Sequence, residues 1–114
     1  MSLAAGAFIA LAGPASAHAM LERAIPAVGA HVAAAPTELQ LVFDEPVFAD
    51  MCVVTLEDAA HHPIALAPLR AGANQSVVIA PLRTPLRPGA YRVHWNAVSQ
   101  DGHSTEGAYV FVVG

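Results

Sequence analysis

Residues Ala90–Ala97 alternate strictly between two kinds of side chain, and this limits what the chain can fold into. The members on one face are Tyr91, Val93, Trp95 and Ala97. Those on the other are Arg92, His94 and Asn96. A period of two residues is typical of a half-buried β-strand, and a helix would scatter the same residues around its axis. The pattern predicts a strand with Trp95 facing the core.

Similar short patterns recur along the chain. They lie at Glu38–Phe43, Met51–Glu57, Ser76–Ala80 and Ala108–Val113, with an edge strand and loop expected within residues 18–36. Leu39, Leu41 and Phe43 alternate with more polar neighbours, which indicates a half-buried strand. Nine prolines are scattered through the sequence, and no helical period appears after the first residues. The pattern predicts one all-β domain, a small antiparallel sandwich or Greek-key barrel.

The loop between the last two predicted strands carries the sequence Val98–Gly107, with Asp101, Gly102 and His103 at its centre. Gly102 leaves the backbone free to bend, so the carboxylate and the imidazole can turn toward one point. The plainer alternative is an ordinary Asp-Gly turn with a solvated histidine beside it.

The first residues resemble a secretory signal peptide. Ser2–Ala12 is apolar, and Ala15-Ser16-Ala17 has the spacing of a cleavage site. Cleavage there predicts a leader over residues 1–17 and a mature domain over 18–114, beginning with His18. No Lys or Arg precedes the apolar run, which a start codon placed too far downstream would explain. The alternative is an N-terminus retained on a cytosolic protein.

A mature chain that begins with histidine offers its α-amine and a ring nitrogen to one metal ion. With Asp101 and His103, the set has three nitrogens and one oxygen, a tetragonal combination that suits copper(II). Zinc(II) is the competing metal. The coincidence of His18 with the Asp101–His103 loop favours a metal site over a plain turn, with copper(II) as the cofactor.

The other candidate ligands are expected to be bystanders. His31 lies in a loop, His61 and His62 in a polar turn before Pro63, and His94 faces away from Trp95. Cys52 has no partner for an internal disulfide and alternates with Val54 and Leu56, as a small buried residue would. A soft copper(I) site at Met51-Cys52 is disfavoured because neighbours on a strand point to opposite faces.

Several motifs resemble the CopC family of periplasmic copper-resistance proteins. They are His18-Ala19, Pro26–Ala30, Leu41–Val47, Pro88–Trp95, Val98–His103 and Gly107–Phe111. The resemblance covers nearly all of residues 18–114 and keeps the order and spacing of these motifs. It implies an immunoglobulin-like β-sandwich or barrel of about seven antiparallel strands and no catalytic activity.

The resemblance also implies the ligands. Copper(II) would be held by His18, Asp101 and His103, with Glu45 near the metal to orient a ligand or the bound amine. It implies a periplasmic protein, expected to be a monomer, and an inner-membrane copper transporter of the CopD type as partner. Some members carry a methionine-rich copper(I) loop, but residues 57–74 contain no methionine. The chain therefore resembles the branch that has a copper(II) site alone.

Two other classes of function remain open. A small mono-copper oxidase also uses a terminal histidine, although no aromatic platform for a sugar is evident beside the core-facing Trp95. A metal-free immunoglobulin-like interaction module is the other. A nucleic-acid partner is not expected, because the formal net charge is −4 and the five basic residues are all arginine. Nothing in the sequence indicates a small-molecule substrate.

Overall fold

The computed structural model describes residues 19–114, and these form nine β-strands in two facing sheets. The strands are β1 (Leu21–Ile25), β2 (His31–Val32), β3 (Glu38–Phe43), β4 (Val53–Asp58), β5 (Pro63–Ile64), β6 (Arg70–Ala71), β7 (Val77–Pro81), β8 (Gly89–Val98) and β9 (Ser104–Val113). A single turn of 3-10 helix, Ala49–Met51, precedes β4. No helix in this part of the chain is long and apolar enough to cross a membrane.

The four-stranded sheet has the order β1-β3-β7-β6 and the five-stranded sheet the order β2-β9-β8-β4-β5. The predicted all-β sandwich is confirmed. The structure adds the short strands β2, β5 and β6, because a run of two residues is too brief to show a period. It also adds one parallel pair, in which β2 runs beside β9 with His31 opposite Val112.

The core lies between the sheets and contains the predicted face of β8. Its largest buried side chains include Leu39, Leu41, Leu56, Val78, Val93 and Phe111. Trp95 is 7% exposed, as predicted, and its ring meets Phe43 edge to face with centroids 5.3 Å apart. Gly107 of β9 lies directly under the indole. A Cβ there would come within 2.7 Å of it, so this position has no room for a side chain.

Two details of the predicted strands were wrong. Met51 was expected to begin a strand, but it ends the 3-10 helix and is exposed. Val42, expected on the more polar face of β3, is buried with Val77 and Ile79 in a small cluster separate from the main core. The outer face of the four-stranded sheet thus has an apolar patch of its own.

The last strand is longer than predicted. β9 begins at Ser104 instead of Ala108, because polar and small residues pair with the end of β8 without any apolar alternation. The register runs without a break from Gly89 opposite Val113 to Val98 opposite Ser104. This long hairpin fixes the loop of residues 99–103 at one end of the sandwich.

Candidate metal centre

The loop between β8 and β9 is a tight turn built on main-chain hydrogen bonds. The Ser99 amide donates to the carbonyl of His103 (2.8 Å), and the Gly102 amide donates to the carbonyl of Ser99 (2.9 Å). Gly102 has φ +92°, a conformation that L-residues rarely adopt. The glycine therefore lets the chain reverse so that Asp101 and His103 lie on the same turn.

Ser99 is the buried polar residue of this turn, with 1% of its surface exposed. Its hydroxyl donates to the Asp101 carboxylate and accepts from the His103 amide at 3.3 Å. The hydrogen bond from Ser99, assisted by the His103 amide and by the nearby imidazole, holds the pKa of Asp101 below its ordinary value against the opposing effect of desolvation. Asp101 is thus a fixed, ionised oxygen donor.

His103 lies beside that carboxylate, with Nδ1 3.3 Å from Asp101 Oδ1. The two side chains are 53% and 39% exposed, so solvent and ions can reach both. One imidazole and one carboxylate are the donors that copper(II) and zinc(II) accept. The structure therefore brings together two of the three predicted ligands.

The third predicted ligand, His18, lies outside the described residues, but the residues after it are firmly held. Ala19 is completely buried, and its carbonyl accepts a hydrogen bond from the Thr105 hydroxyl at 2.5 Å. The Met20 amide donates to Asp44 Oδ1 (2.8 Å), and the Asp44 amide donates to the Met20 carbonyl (3.0 Å). Thr105 is two residues beyond His103.

The segment after β3 runs beside the turn. Val47 pairs with Ser99, and the Gln100 amide donates to the carbonyl of Pro46 (3.1 Å). The Phe48 amide donates to the carbonyl of Val98 (2.9 Å). Glu45, at the start of this segment, is half-buried. Its role as an orienting carboxylate stays a prediction.

Negative charge is concentrated at this end of the sandwich. Residues 44–53 and 96–106 hold five of the nine Asp and Glu residues and none of the five arginines. Such a field attracts cations and raises their local concentration. It is compatible with a site that takes up a divalent ion.

The remaining histidines have partners that the sequence did not reveal. His61 Nδ1 and His94 Nε2 contact the two carboxylate oxygens of Glu57, at 2.5 and 3.0 Å, and His62 Nδ1 is 3.3 Å from Asp58. Pairing across strands and turns brings these carboxylates to the three histidines. Their expected role as bystanders for the metal stays a prediction. His31 contacts the Gly114 carbonyl.

Within residues 19–114, no group of three or more His, Cys, Asp or Glu side chains is arranged to hold a metal ion. The Asp101–His103 pair needs a further ligand from elsewhere. Cys52 is buried, and burial raises the pKa of its thiol, as expected for a residue that packs and does not bind.

Sequence reasoning missed Ser99, Asp44 and Thr105 as parts of this centre. Ser99 had a local signal, since a serine two residues before an aspartate commonly bonds within the turn. Asp44 and Thr105 had none, because their contacts with Met20 and Ala19 join residues far apart in sequence.

Comparison with known proteins places the chain in a family. Residues 21–114 match the CopC domain. Copper resistance protein C of Escherichia coli is 37% identical over 120 residues, covering 97% of this chain and 93% of that protein. Protein YobA of Escherichia coli is 38% identical over 98 residues, covering 85% and 79%.

Two further similarities bear on structure and context. The crystal structure of PcoC, a methionine-rich copper resistance protein from Escherichia coli, superimposes with a TM-score of 0.78 at 34% identity, covering 86% of this chain and all of that one. The copper transport protein CutJ of Bacillus subtilis is 26% identical over 86% of this chain, but the match covers 18% of CutJ. The chain belongs to the CopC family.

Proposed function

We propose that this protein is an exported copper(II)-binding protein that serves copper homeostasis or resistance, and that it holds one ion through His18, Asp101 and His103. The observation that carries the proposal is the position of Ala19. Its carbonyl is bonded to Thr105, which is two residues from His103 and so within about 7 Å of it along the strand. The residue before Ala19 is therefore attached close to the turn.

A chain beginning at His18 would supply two nitrogens to the pair described above. Its α-amine and its ring nitrogen chelate the ion, and the Asp101 carboxylate and the His103 imidazole complete a set of three nitrogens and one oxygen. Copper(II) favours such tetragonal sets and stands highest among the divalent ions for imidazole-rich sites. Asp101, held as a carboxylate by Ser99, offsets the charge of the ion.

The ligand chemistry favours copper(II) over copper(I). The relative PcoC is described as methionine rich, whereas this chain has three methionines, of which one is Met1. Copper(I) prefers thiolate and thioether ligands, and the one cysteine is buried.

We propose no catalytic activity. A sugar-cleaving oxidase needs an exposed aromatic surface near its metal. Within residues 19–114 Phe48, which lies beside the turn, is the single aromatic side chain that is not buried, and one side chain does not make such a surface. The partner we propose is an inner-membrane copper transporter of the CopD type. The match to about a fifth of a longer protein named for copper transport supports this, because a segment similar to this domain occurs within that chain. We further propose that the protein acts as a periplasmic monomer.

The decisive test compares the chain that begins at His18 with one that retains residues 1–17. Retention places the His18 amine in a peptide bond, so we expect copper(II) affinity to fall by more than about 100-fold, beyond what loss of an outer-shell partner costs. A competition titration against a copper(II) chelator measures the affinity, and electron spin resonance reports the number of bound nitrogens. Equal affinity for the two chains would contradict the proposal.

A further inference from the structure

Ala19 and Met20, the first residues that the structure describes, are held by specific contacts with the rest of the domain. Ala19 has no exposed surface, while Met20, its neighbour, is 49% exposed. The first residues of a domain are generally poorly ordered unless specific contacts tie them down. Here one residue next to the four-stranded sheet and one residue in the five-stranded sheet make these contacts.

Asp44 makes the contact with the four-stranded sheet. It follows directly after β3, and its amide donates to the Met20 carbonyl as a continuation of the β1–β3 ladder. Its side chain then accepts from the Met20 amide at 2.8 Å. The two bonds fix both polar groups of the Met20 main chain.

Thr105 makes the contact with the other sheet. It lies in β9 opposite Ala97, and its hydroxyl donates to the Ala19 carbonyl at 2.5 Å. Between Met20 and Ala19 the chain thus passes from the edge of one sheet to the β8–β9 hairpin of the other. A terminal strand that only completed its own sheet would not need this crossing. The crossing leads toward the turn that carries Asp101 and His103.

We propose that Asp44 and Thr105 are positioning residues, a clasp that aims the amine and imidazole of His18 at the Asp101–His103 turn. This inference rests on the function proposed above. The clasp contacts the main chain of Ala19 and Met20. It acts by fixing Ala19 and Met20. Because consecutive Cα atoms are about 3.8 Å apart, this restricts the positions that His18 can reach. Fixing a ligand before the ion arrives lowers the entropy lost on binding.

The test uses two variants of the chain that begins at His18. Thr105→Val keeps the shape of the side chain and removes the hydroxyl, and Asp44→Ala removes the carboxylate. We expect each to lower copper(II) affinity by about 10–100-fold, the range for partners that orient a ligand. Because both act on adjacent residues of one segment, the double variant should lose less than the two single losses combined.

Conservative replacements and a matched control separate positioning from general stability. Thr105→Ser and Asp44→Asn keep an oxygen at the same place and should restore most of the affinity. Thr55→Val changes an exposed residue of the same type as Thr105, away from Ala19 and Met20, and should leave the affinity unchanged. Spin resonance should show fewer bound nitrogens in Thr105→Val than in the parent, a change that a merely less stable protein would not produce.

A readout without metal keeps the clasp distinct from the copper site. In the metal-free protein the Met20 amide should exchange with solvent slowly, and faster in Asp44→Ala. If the parent binds no copper but its Met20 amide exchanges more slowly than that of Asp44→Ala, the copper function is contradicted. The contacts of the clasp are then present, but they have no role in metal binding. If the parent binds copper and Thr105→Val and Asp44→Ala match it in affinity and nitrogen count, the clasp proposal is overturned.

Discussion

Two turns with the same hydrogen-bond pattern occur within the part of the chain that the structure describes, at residues 99–103 and at residues 58–62. In each, the first amide donates to the fifth carbonyl, at 2.8 Å in the first turn and 3.0 Å in the second. In each, the fourth amide donates to the first carbonyl at 2.9 Å. Both have a histidine at the fifth position, with Nδ1 3.3 Å from a carboxylate of the same turn.

The two turns differ in which residue is buried and in what approaches from outside. The first begins with Ser99, which is buried, and the anchored segment at Ala19 lies beside it through Thr105. The second begins with Asp58, whose Oδ1 accepts from the amides of Ala60 and His62. Both carboxylates therefore bond within their own turns, Asp58 through main-chain amides and Asp101 chiefly through the buried hydroxyl of Ser99. Because both turns carry an aspartate and a histidine, we propose that the surroundings, and not this pair alone, decide which turn binds a metal ion.

The largest effect should separate the two histidines at the fifth position. His103→Ala should lower copper(II) affinity by more than about 100-fold, because a four-ligand plane loses an imidazole. His62→Ala, its counterpart in the second turn, should leave the affinity unchanged, as should replacement of His31 or His94. Competition titration against a chelator ranks the variants. A His103→Ala protein with the affinity and spin-resonance spectrum of the parent would place the metal elsewhere.

The next effect should come from the buried serine that distinguishes the first turn. Ser99→Ala removes the hydroxyl that binds Asp101 and the His103 amide. We expect copper(II) affinity to fall by about 10–100-fold, as for other groups that orient a ligand. Ser104→Ala, an exposed neighbour at the start of β9, is the matched control and should bind like the parent. Equal affinities for both variants would remove Ser99 from the site.

Acid should distinguish nitrogen ligands from the carboxylate. An α-amine ordinarily titrates near pH 8, so affinity should fall by about tenfold per pH unit below that value. The pKa of Asp101 is lowered, so its carboxylate stays ionised as the pH falls and its contribution is lost only below the ordinary range. Copper(II) affinity measured from pH 8 to pH 4 should therefore fall. An affinity that does not change with pH would mean that the nitrogens do not bind the ion.

The sequence predicted the strands and the turn at this candidate site better than it predicted the contacts that hold them. Alternation in Ala90–Ala97 was enough to place Trp95 in the core, because burial on one face of a strand imposes a period of two. Asp101 and His103 were recognisable from their spacing around Gly102. The ties at Asp44 and Thr105 were not, since they depend on which loops meet when the two sheets pack.

At the second turn, too, the local sequence indicated the turn but not its contacts with distant residues. The Glu57 carboxylate contacts two histidines that are 33 residues apart. His61 lies four residues from it along the chain, and His94 reaches it because β4 lies beside β8. The local sequence indicated a polar turn before Pro63, and the turn is there. The contact between Glu57 and His94 depends on the register of β4 against β8. A pattern of apolar residues fixes that register only after the pairing of the strands is known.

The smallest effect concerns the fourth position of each turn, where the backbone is left-handed. Gly102 has φ +92° and His61 has φ +66°. A left-handed conformation costs an L-residue about 1–2 kcal/mol, and glycine avoids this cost. Gly102→Ala should therefore destabilise the metal-free protein by about 1–2 kcal/mol, although a Cβ there would meet nothing within 4 Å. His61→Ala exchanges one L-residue for another at the same angle, so the backbone cost is already present in the parent. Loss of the exposed contact with Glu57 should lower the melting temperature only slightly. For a domain of this size each kcal/mol corresponds to about 4–8 °C. Thermal unfolding of the two variants in a chelator-containing buffer measures the difference, and equal shifts would mean that backbone conformation does not explain why the first turn has glycine.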